Sequence, residues 1–361
     1  MPRRLAPPQV TVIIPTFNRA RYLAEAIQSV LGQTFLDYEL IVVDDGSTDG
    51  TSAVLAGFGD SRLRVLRQEN RGISAAMNAG LRAARGKYIA RLDSDDMWFP
   101  NLLACETMVL DSRPDVGVVY ARAQAMSANG TPREHYLGLP LRYPQDALLS
   151  LLWGDCTCNI TALARRSCFA AAGPYDETLR THEDWDMWLR VARSYHFTFL
   201  HSTLGRFREH DDGITSPSSS TFVAHIESRV QVLDKFYASP HLPSRLAAFK
   251  TRAYRNIYTE IGLFLFNTGH HTRALRMFGR ALVSGGNPAA ALARICWLTV
   301  AVRLLNRFGF GRQILQFQAG VRRRVRARVA AGTAANRHLA SPRTENVSSD
   351  TNDCNRDPKQ L

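Results

Sequence analysis

Through residues 10–96 the chain alternates between two hydrophobic periods, and this constrains its fold more than any other feature. Apolar runs of strand length, VTVIIP, YELIVVDD, RLRVLRQ and GKYIARLD, are separated by stretches of helical spacing, ARYLAEAIQSVLGQ, DGTSAVLAGF and GISAAMNAGLRAA. A nearly continuous apolar strand needs cover on both faces, and helices between successive strands supply it through right-handed crossovers. The pattern predicts an α/β chain with a mostly parallel sheet flanked by helices. Ser47, Thr48 or Asp49 is the expected cap of the second helix. Ligands of such sheets sit beyond the carboxyl ends of the strands. Two acidic clusters fall there, Asp44-Asp45 and Asp93-Ser94-Asp95-Asp96.

Three carboxylates within residues 93–96 repel one another, so something must compensate them. Hard divalent cations take oxygen ligands and share them with substrate phosphates. The plainer alternative makes Asp95 or Asp96 the cap of a helix running from Phe99. A ligand site is favoured for 93–96, and simple capping for Asp44-Asp45 on its own. No GxGxxG follows the first strand, which leaves a dinucleotide fold little support.

PTFNRARYLAEAIQSVLGQ, ELIVVDDGSTDGT and ENRGISAAMNAGLRAARGKYIARLDSDD, in that order, resemble the nucleotide-binding half of family 2 glycosyltransferases. The resemblance implies the GT-A nucleotide-diphospho-sugar transferase fold, a nucleotide-diphospho-sugar donor, a divalent metal (Mg2+ or Mn2+) and inversion at the anomeric carbon. By the family pattern Pro15, Thr16 and Asn18 line the nucleoside pocket and Asp45 sits where the base is recognised. Asp93 would approach the ribose, and Asp95 would hold the metal on the diphosphate. Arg71 and Asn78 lie in the stretch that flanks the nucleotide.

Acceptors bind in the second half of such domains. Between Asp111 and Asp155 the pattern offers little beyond a strand at VGVVYARAQAM; TCNITALARRSCFAAAGPYDETLR reads as a strand, a short helix and a turn. THEDWDMWLRVARS then places Trp185, Trp188, Leu189 and Ala192 at helical spacing, as core, with Glu183 and Asp184 in the first turn, where the helix dipole favours acids. The family carries an ED pair here whose Asp is the general base. Asp184 is thus the expected base, and Glu183 its acceptor-binding or orienting neighbour. One base suffices to take the proton from an attacking hydroxyl, because a metal can stabilise the departing diphosphate. Asp186, two residues further, is expected to be a helix-surface acid facing elsewhere. In LGRFREHDDGITS, His210 could simply be solvated, yet a family histidine after a YR-type strand completes the metal or diphosphate site. The flanking Asp211 and Asp212 depart from the smaller residues common there. Ser216–Thr221 reads as a mobile loop able to close over the donor.

These readings place a catalytic domain at 8–222, a helical basic region at 223–330 and a disordered tail at 331–361. Tyr258, Ile261, Gly262, Leu265, Ala274, Phe278 and Ala281 match the spacing of one tetratricopeptide repeat, which alone forms no solenoid and is expected to pack on the catalytic domain. AAALARICWLTVAVRLL, interrupted by Arg294 and Arg303, falls short of the roughly 20 apolar residues that span a bilayer, but could lie buried or in a membrane interface. The 14 arginines of 261–344, a span without Asp or Glu, exceed the formal charge of +13 and leave the remainder near −1. Arg307, Arg312, Arg322, Arg323, Arg324, Arg326 and Arg328 suit an anionic inner leaflet. RNA is the competing partner, but no aromatic stacking platform accompanies them, so nucleic acid is not expected. Cysteines without CxxC spacing and a start, MPRRLAPPQV, without a secretory core suggest reduced thiols and a cytoplasmic setting. A Cys156/Cys158 metal pair would need partners not visible in the sequence. The expected protein is an inverting transferase acting on a glycan or lipid-linked acceptor in cell-surface polysaccharide or glycoconjugate synthesis, peripheral on the inner membrane face. The alternatives are a nucleotide-sugar or carbohydrate-binding protein on a degenerate domain, against which Asp93, Asp95 and Asp184 together argue, and a nucleotidyltransferase.

Overall fold

The computed structural model describes residues 6–153, 159–213, 222–240 and 244–284, with a few single positions besides. The expected strands and helices of the first hundred residues are present: β1 (Val10–Thr16), α1 (Ala20–Leu31), β2 (Tyr38–Asp44), α2 (Thr51–Ala56), β3 (Leu63–Arg67), α3 (Ile73–Ala83) and β4 (Tyr88–Arg91). Every residue of β1, β2 and β4 is buried, as both-face cover requires. The α1 face of Tyr22, Leu23, Ala26, Ile27 and Val30 is buried as well. Gly80 of α3 lies so close to β1 that a Cβ there would come within 2.6 Å of Ile13. The N-cap of α2 is Gly50, but Asp49 accepts a hydrogen bond from the Thr51 amide at 2.9 Å, so the acid still serves the first turn.

The second half adds β5 (Met97–Trp98), α4 (Leu102–Ser112), β6 (Val116–Ser127), β7 (Pro132–Leu137), α5 (Ala147–Leu152), β8 (Leu163–Arg165), α6 (Arg166–Ala172), α7 (Glu183–Val191) and β9 (His196–Glu209). Strand order in the nine-stranded sheet is β3-β2-β1-β4-β8-β6-β9-β5, with β7 paired to β6. β1 to β4 are parallel, as is the long β6–β9 pair. β8 runs antiparallel between β4 and β6, and β5 and β7 also pair antiparallel, so the sheet is mixed. The carboxyl ends of β1, β2, β4, β6 and β9 share one edge. Because α4 begins at Leu102 behind Asn101, neither Asp95 nor Asp96 caps it.

The chain divides into compact units at Ile257/Tyr258. α8 (Phe222–Tyr237) belongs to the first unit, and α9 (Ser244–Asn267) runs through the division. In the second unit the end of α9 and α10 (His271–Val283) form a helical hairpin around Gly269, whose φ of +84° suits the turn. Ile261, Leu265, Ala274, Phe278 and Ala281 are buried there, and Gly262 admits the Phe278 ring, which a Cβ would meet at 2.5 Å. No helix among the described residues is long and apolar enough to cross a membrane. Cys156, Cys158, most of the 216–221 loop, the span 289–305 apart from single positions, the arginine run beyond it and the tail lie outside the described residues.

Candidate active site

The shared strand edge gathers the expected residues. Thr16 ends β1 with its hydroxyl buried and without a hydrogen-bond partner among the described residues. Asn18, in the left-handed region at φ 52°, turns its Oδ1 to accept from the Thr48 and Asp49 amides at 2.8 and 3.3 Å, tying the first strand–helix turn to the second. Asp44 accepts from the Ser47 amide at 2.9 Å. Asp45 accepts from Gln68 Nε2 at 2.7 Å, the Arg71 amide at 3.1 Å and the Gly72 amide at 2.8 Å, so its buried carboxylate folds the loop before α3 around itself. Gly46 completes this corner: its φ is +81°, and a Cβ would meet the Asn70 amide nitrogen at 2.8 Å.

Beyond β4 the acids separate by environment. Arg91, buried at the strand end, donates from Nε to Asp93 at 2.7 Å and from Nη1 to Glu183 at 2.8 Å. One guanidinium thereby joins the acidic cluster to the first turn of α7. Burial raises Asp93 and Glu183, the latter to about 7, against the opposing pull of Arg91. Burial, with Asp95 and Asp93 adding repulsion, raises Asp96 well above the carboxylate range, although it accepts the Arg208 amide at 2.8 Å. Asp184, next to Glu183, is only partly buried and keeps its Oδ1 on the Trp185 amide at 2.7 Å. Trp185 and Trp188 are core, as expected.

His210 follows β9 directly, with Nε2 3.1 Å from Asp95 Oδ2. Arg208 sets this approach, donating from Nε to the Asp95 carbonyl at 2.8 Å and from Nη2 to Glu25 at 2.7 Å. Burial disfavours charge on Asp95, but the His210 hydrogen bond and the Arg19 charge outweigh it and hold the acid below its usual value. Arg19 Nε lies 3.4 Å from the same oxygen. A divalent cation fits here. Asp95 Oδ2 and His210 Nε2 converge at 3.1 Å, and because no group of three His, Cys, Asp or Glu stands together among the described residues, the pair would supply only part of a ligand shell. Mg2+ and its relatives are bound this way, by one or two protein ligands with substrate phosphates completing the shell.

Other expected residues stand further back. Arg71 is exposed and pairs with Glu177 at 2.7 Å. Asn78 is buried and clamps the turn after α6, donating to the Tyr175 carbonyl at 3.0 Å and accepting from its amide at 2.8 Å. Pro15 lies within β1, paired with Val43. Asp186 is not the surface acid expected: it is buried, bonded to Arg190 Nε at 2.9 Å and to Lys235 of α8 at 2.8 Å. It does face away from Arg91, as the helical spacing requires. Arg91, Arg19, Arg208 and Gln68 are site residues that the sequence did not mark. Only a charge inside the strand YIAR hinted at Arg91. Cavities of about 580 and 370 Å3 lie elsewhere, one beside the segments that precede β1, β2 and β4, the other beside the segment that precedes β6 and the start of β9, and neither is lined by these residues.

Residues 11–170 match the family model described as Glycosyl transferase family 2. An uncharacterised glycosyltransferase of Rickettsia prowazekii is 32% identical over 58% of this chain and 67% of its own length. TuaG of Bacillus subtilis, named for teichuronic acid biosynthesis, is 31% identical over 58% of this chain and 82% of its own length. Further Rickettsia relatives are matched over 30–35% of their length. Among solved structures, Staphylococcus aureus TarS 1-349 in complex with UDP-GlcNAc aligns at a TM-score of 0.59 with 17% identity, covering 86% of this chain and 92% of that one. The mannosyltransferase PcManGT of Pyrobaculum calidifontis, in complex with GDP-Man and Mn2+, aligns at 0.56 with 20% identity, covering 86% and 85%. At such identities these likenesses concern the fold.

Proposed function

The chain belongs to glycosyl transferase family 2, and from that premise we propose that it moves a sugar, with inversion, from a nucleotide-diphospho-sugar to a hydroxyl of a glycan or lipid-linked acceptor in cell-surface polysaccharide synthesis. One observation carries this reading: the buried Arg91 guanidinium joins Asp93, on the donor side, to Glu183, the residue that precedes Asp184 on α7. Donor and acceptor chemistry need that adjacency, since the hydroxyl must be deprotonated as it attacks the anomeric carbon opposite the leaving diphosphate.

In this account Thr16, Asn18 and Asp45 shape the nucleoside pocket, Arg71 and Asn78 hold its flanking loops, and Asp93 faces the ribose. Asp95 and His210 would hold the divalent cation. When bound, that ion supplies charge stabilisation for the departing diphosphate. Asp184 accepts the acceptor proton at its carboxylate, while Glu183, fixed by Arg91, orients the acceptor side. TuaG's name and the nucleotide-sugars of the two structural neighbours support the substrate class without choosing the sugar. The basic span 261–344 would hold the enzyme on an anionic membrane surface.

The test is a panel of UDP-, GDP- and dTDP-sugars with Mn2+ or Mg2+. A matched donor should raise the Tm and release nucleoside diphosphate on turnover. Binding without release would favour the non-catalytic alternative, and release of sugar 1-phosphate in place of nucleoside diphosphate would indicate nucleotidyl transfer.

A further inference from the structure

The residue before the Glu183-Asp184 pair adopts a backbone that side chains seldom take. His182 has φ 59° and ψ 23°, the left-handed region, and it is the N-cap from which α7 starts. Something must hold it there, and the holding groups come from α8. His182 Nδ1 lies 3.0 Å from the Ser228 hydroxyl, and Thr181 Oγ1 lies 2.6 Å from the same oxygen. Ser228 in turn donates to the His225 carbonyl at 2.7 Å. One assignment of protons satisfies all three contacts. Thr181 and His182 Nδ1–H both donate to Ser228 Oγ, whose single proton goes to the His225 carbonyl. His182 is then the neutral Nδ1–H tautomer. Burial, with His225 and Arg229 adding to it, holds the ring neutral by pushing its pKa down to about 2.

The two imidazoles stack, centroids 4.3 Å apart and planes 18° from parallel. His225 Nδ1 is buried without a hydrogen-bond partner among the described residues, and the ring is close enough to Asp184 to feel its charge. At the other end of α8, Lys235 reaches Asp186 at 2.8 Å and Asp176 at 2.7 Å. The second attachment ties down the far face of α7. The first acts on the backbone that launches Asp184.

We infer that the Thr181–His182 turn, clamped by Ser228 and the stacked His225 ring of α8, is a positioning device that aims the Asp184 carboxylate at the acceptor hydroxyl. The inference rests on Asp184 being the base. His182, His225 and Ser228 are positioning residues: they act on the proton acceptor through the turn and make no contact with donor groups. A small rotation of this turn would displace the base while leaving Asp95, His210 and the nucleoside pocket in place.

The test uses the full chain with whichever nucleotide-sugar of the panel it turns over fastest. Ser228→Ala and His182→Ala should each lower kcat roughly 10- to 100-fold, the scale expected when a reacting group is misplaced by about 1 Å. The affinity for the corresponding nucleoside diphosphate with Mn2+, measured by calorimetry, should stay unchanged. His182→Asn tolerates the left-handed backbone and can still reach Ser228, so it should recover most of the lost kcat. Lys235→Met, measured alongside, should lower the Tm with little change in kcat. Full kcat in Ser228→Ala and His182→Ala, with Asp184→Asn inactive, would overturn the positioning role and leave the base assignment standing. Losses of kcat that follow Tm equally in all variants, Lys235→Met included, would also overturn it. An active Asp184→Asn would instead remove the base reading itself, and this inference with it.

Discussion

At the scale of single residues, the site depends on Arg91 more than on any acid named in advance. Its buried guanidinium pairs with the buried Glu183 and the half-buried Asp93, so removing it leaves both without their partner. Arg91→Met should destabilise the protein by about 3–5 kcal/mol, the penalty for orphaning buried charge, read as a fall in the denaturant midpoint. Arg91→Lys keeps the charge but loses the two-pronged geometry, and should fall between Arg91→Met and the native chain. The acids Asp93, Asp95 and Asp184 were legible because their spacing and neighbours form a recognisable pattern. Arg91 was not, because a charged residue inside an apolar strand names no partner, and its second partner lies 92 positions away. Asp186 was misread for the same reason: helical spacing gave its direction, but Lys235 of α8 could not be foreseen. Asp186→Asn should therefore cost stability, by weakening a buried pair.

At the scale of elements, β1 to β4 were readable because each is mainly apolar or β-branched and is followed by helix spacing or an acidic turn. β5 and β7 were not: a two-residue strand and an exposed hairpin arm carry too little periodicity, while β8 was readable as a strand before α6 but too short to announce its antiparallel pairing. α8 was expected only as part of a helical region, yet it carries the contacts that hold α7. Lys235 makes this testable by pH. Burial opposes charge on Asp176, but Lys235 and Thr178 prevail and hold it at about 2, below its usual value. For an acid so depressed, the stabilisation is present in full above the unfolded value of about 3.9 and is lost as pH falls through that value toward 2. The stability difference between the native chain and Lys235→Met should accordingly be constant from pH 7 to 5 and shrink between about 4 and 2 in urea titrations. In the hairpin of α9 and α10, Gly262→Ala drives a methyl against the buried Phe278 ring. Overpacking of this kind costs about 1–3 kcal/mol, to be read as a lower Tm.

At the scale of the whole molecule, charge is divided as sharply as function. The arginines of 261–344 account for the basic balance, and the catalytic span carries almost none of it. If the span holds an anionic membrane, each arginine near the surface contributes about 1 kcal/mol. Changing Arg322, Arg323, Arg324, Arg326 and Arg328 to Ser should then weaken cosedimentation with phosphatidylserine vesicles at least ~100-fold at low salt, while kcat on a soluble acceptor stays unchanged. Equal binding by both proteins would contradict the membrane role. The division inside the catalytic unit is tested by Asp184→Asn, which keeps the size of the side chain but cannot take a proton. Single-turnover transfer and calorimetric donor affinity, measured on the same preparation with Mn2+ present, separate the two halves of the site. The account predicts transfer slowed by roughly 100- to 10,000-fold with donor affinity unchanged. Transfer at the native rate, with the donor bound as before, would contradict it.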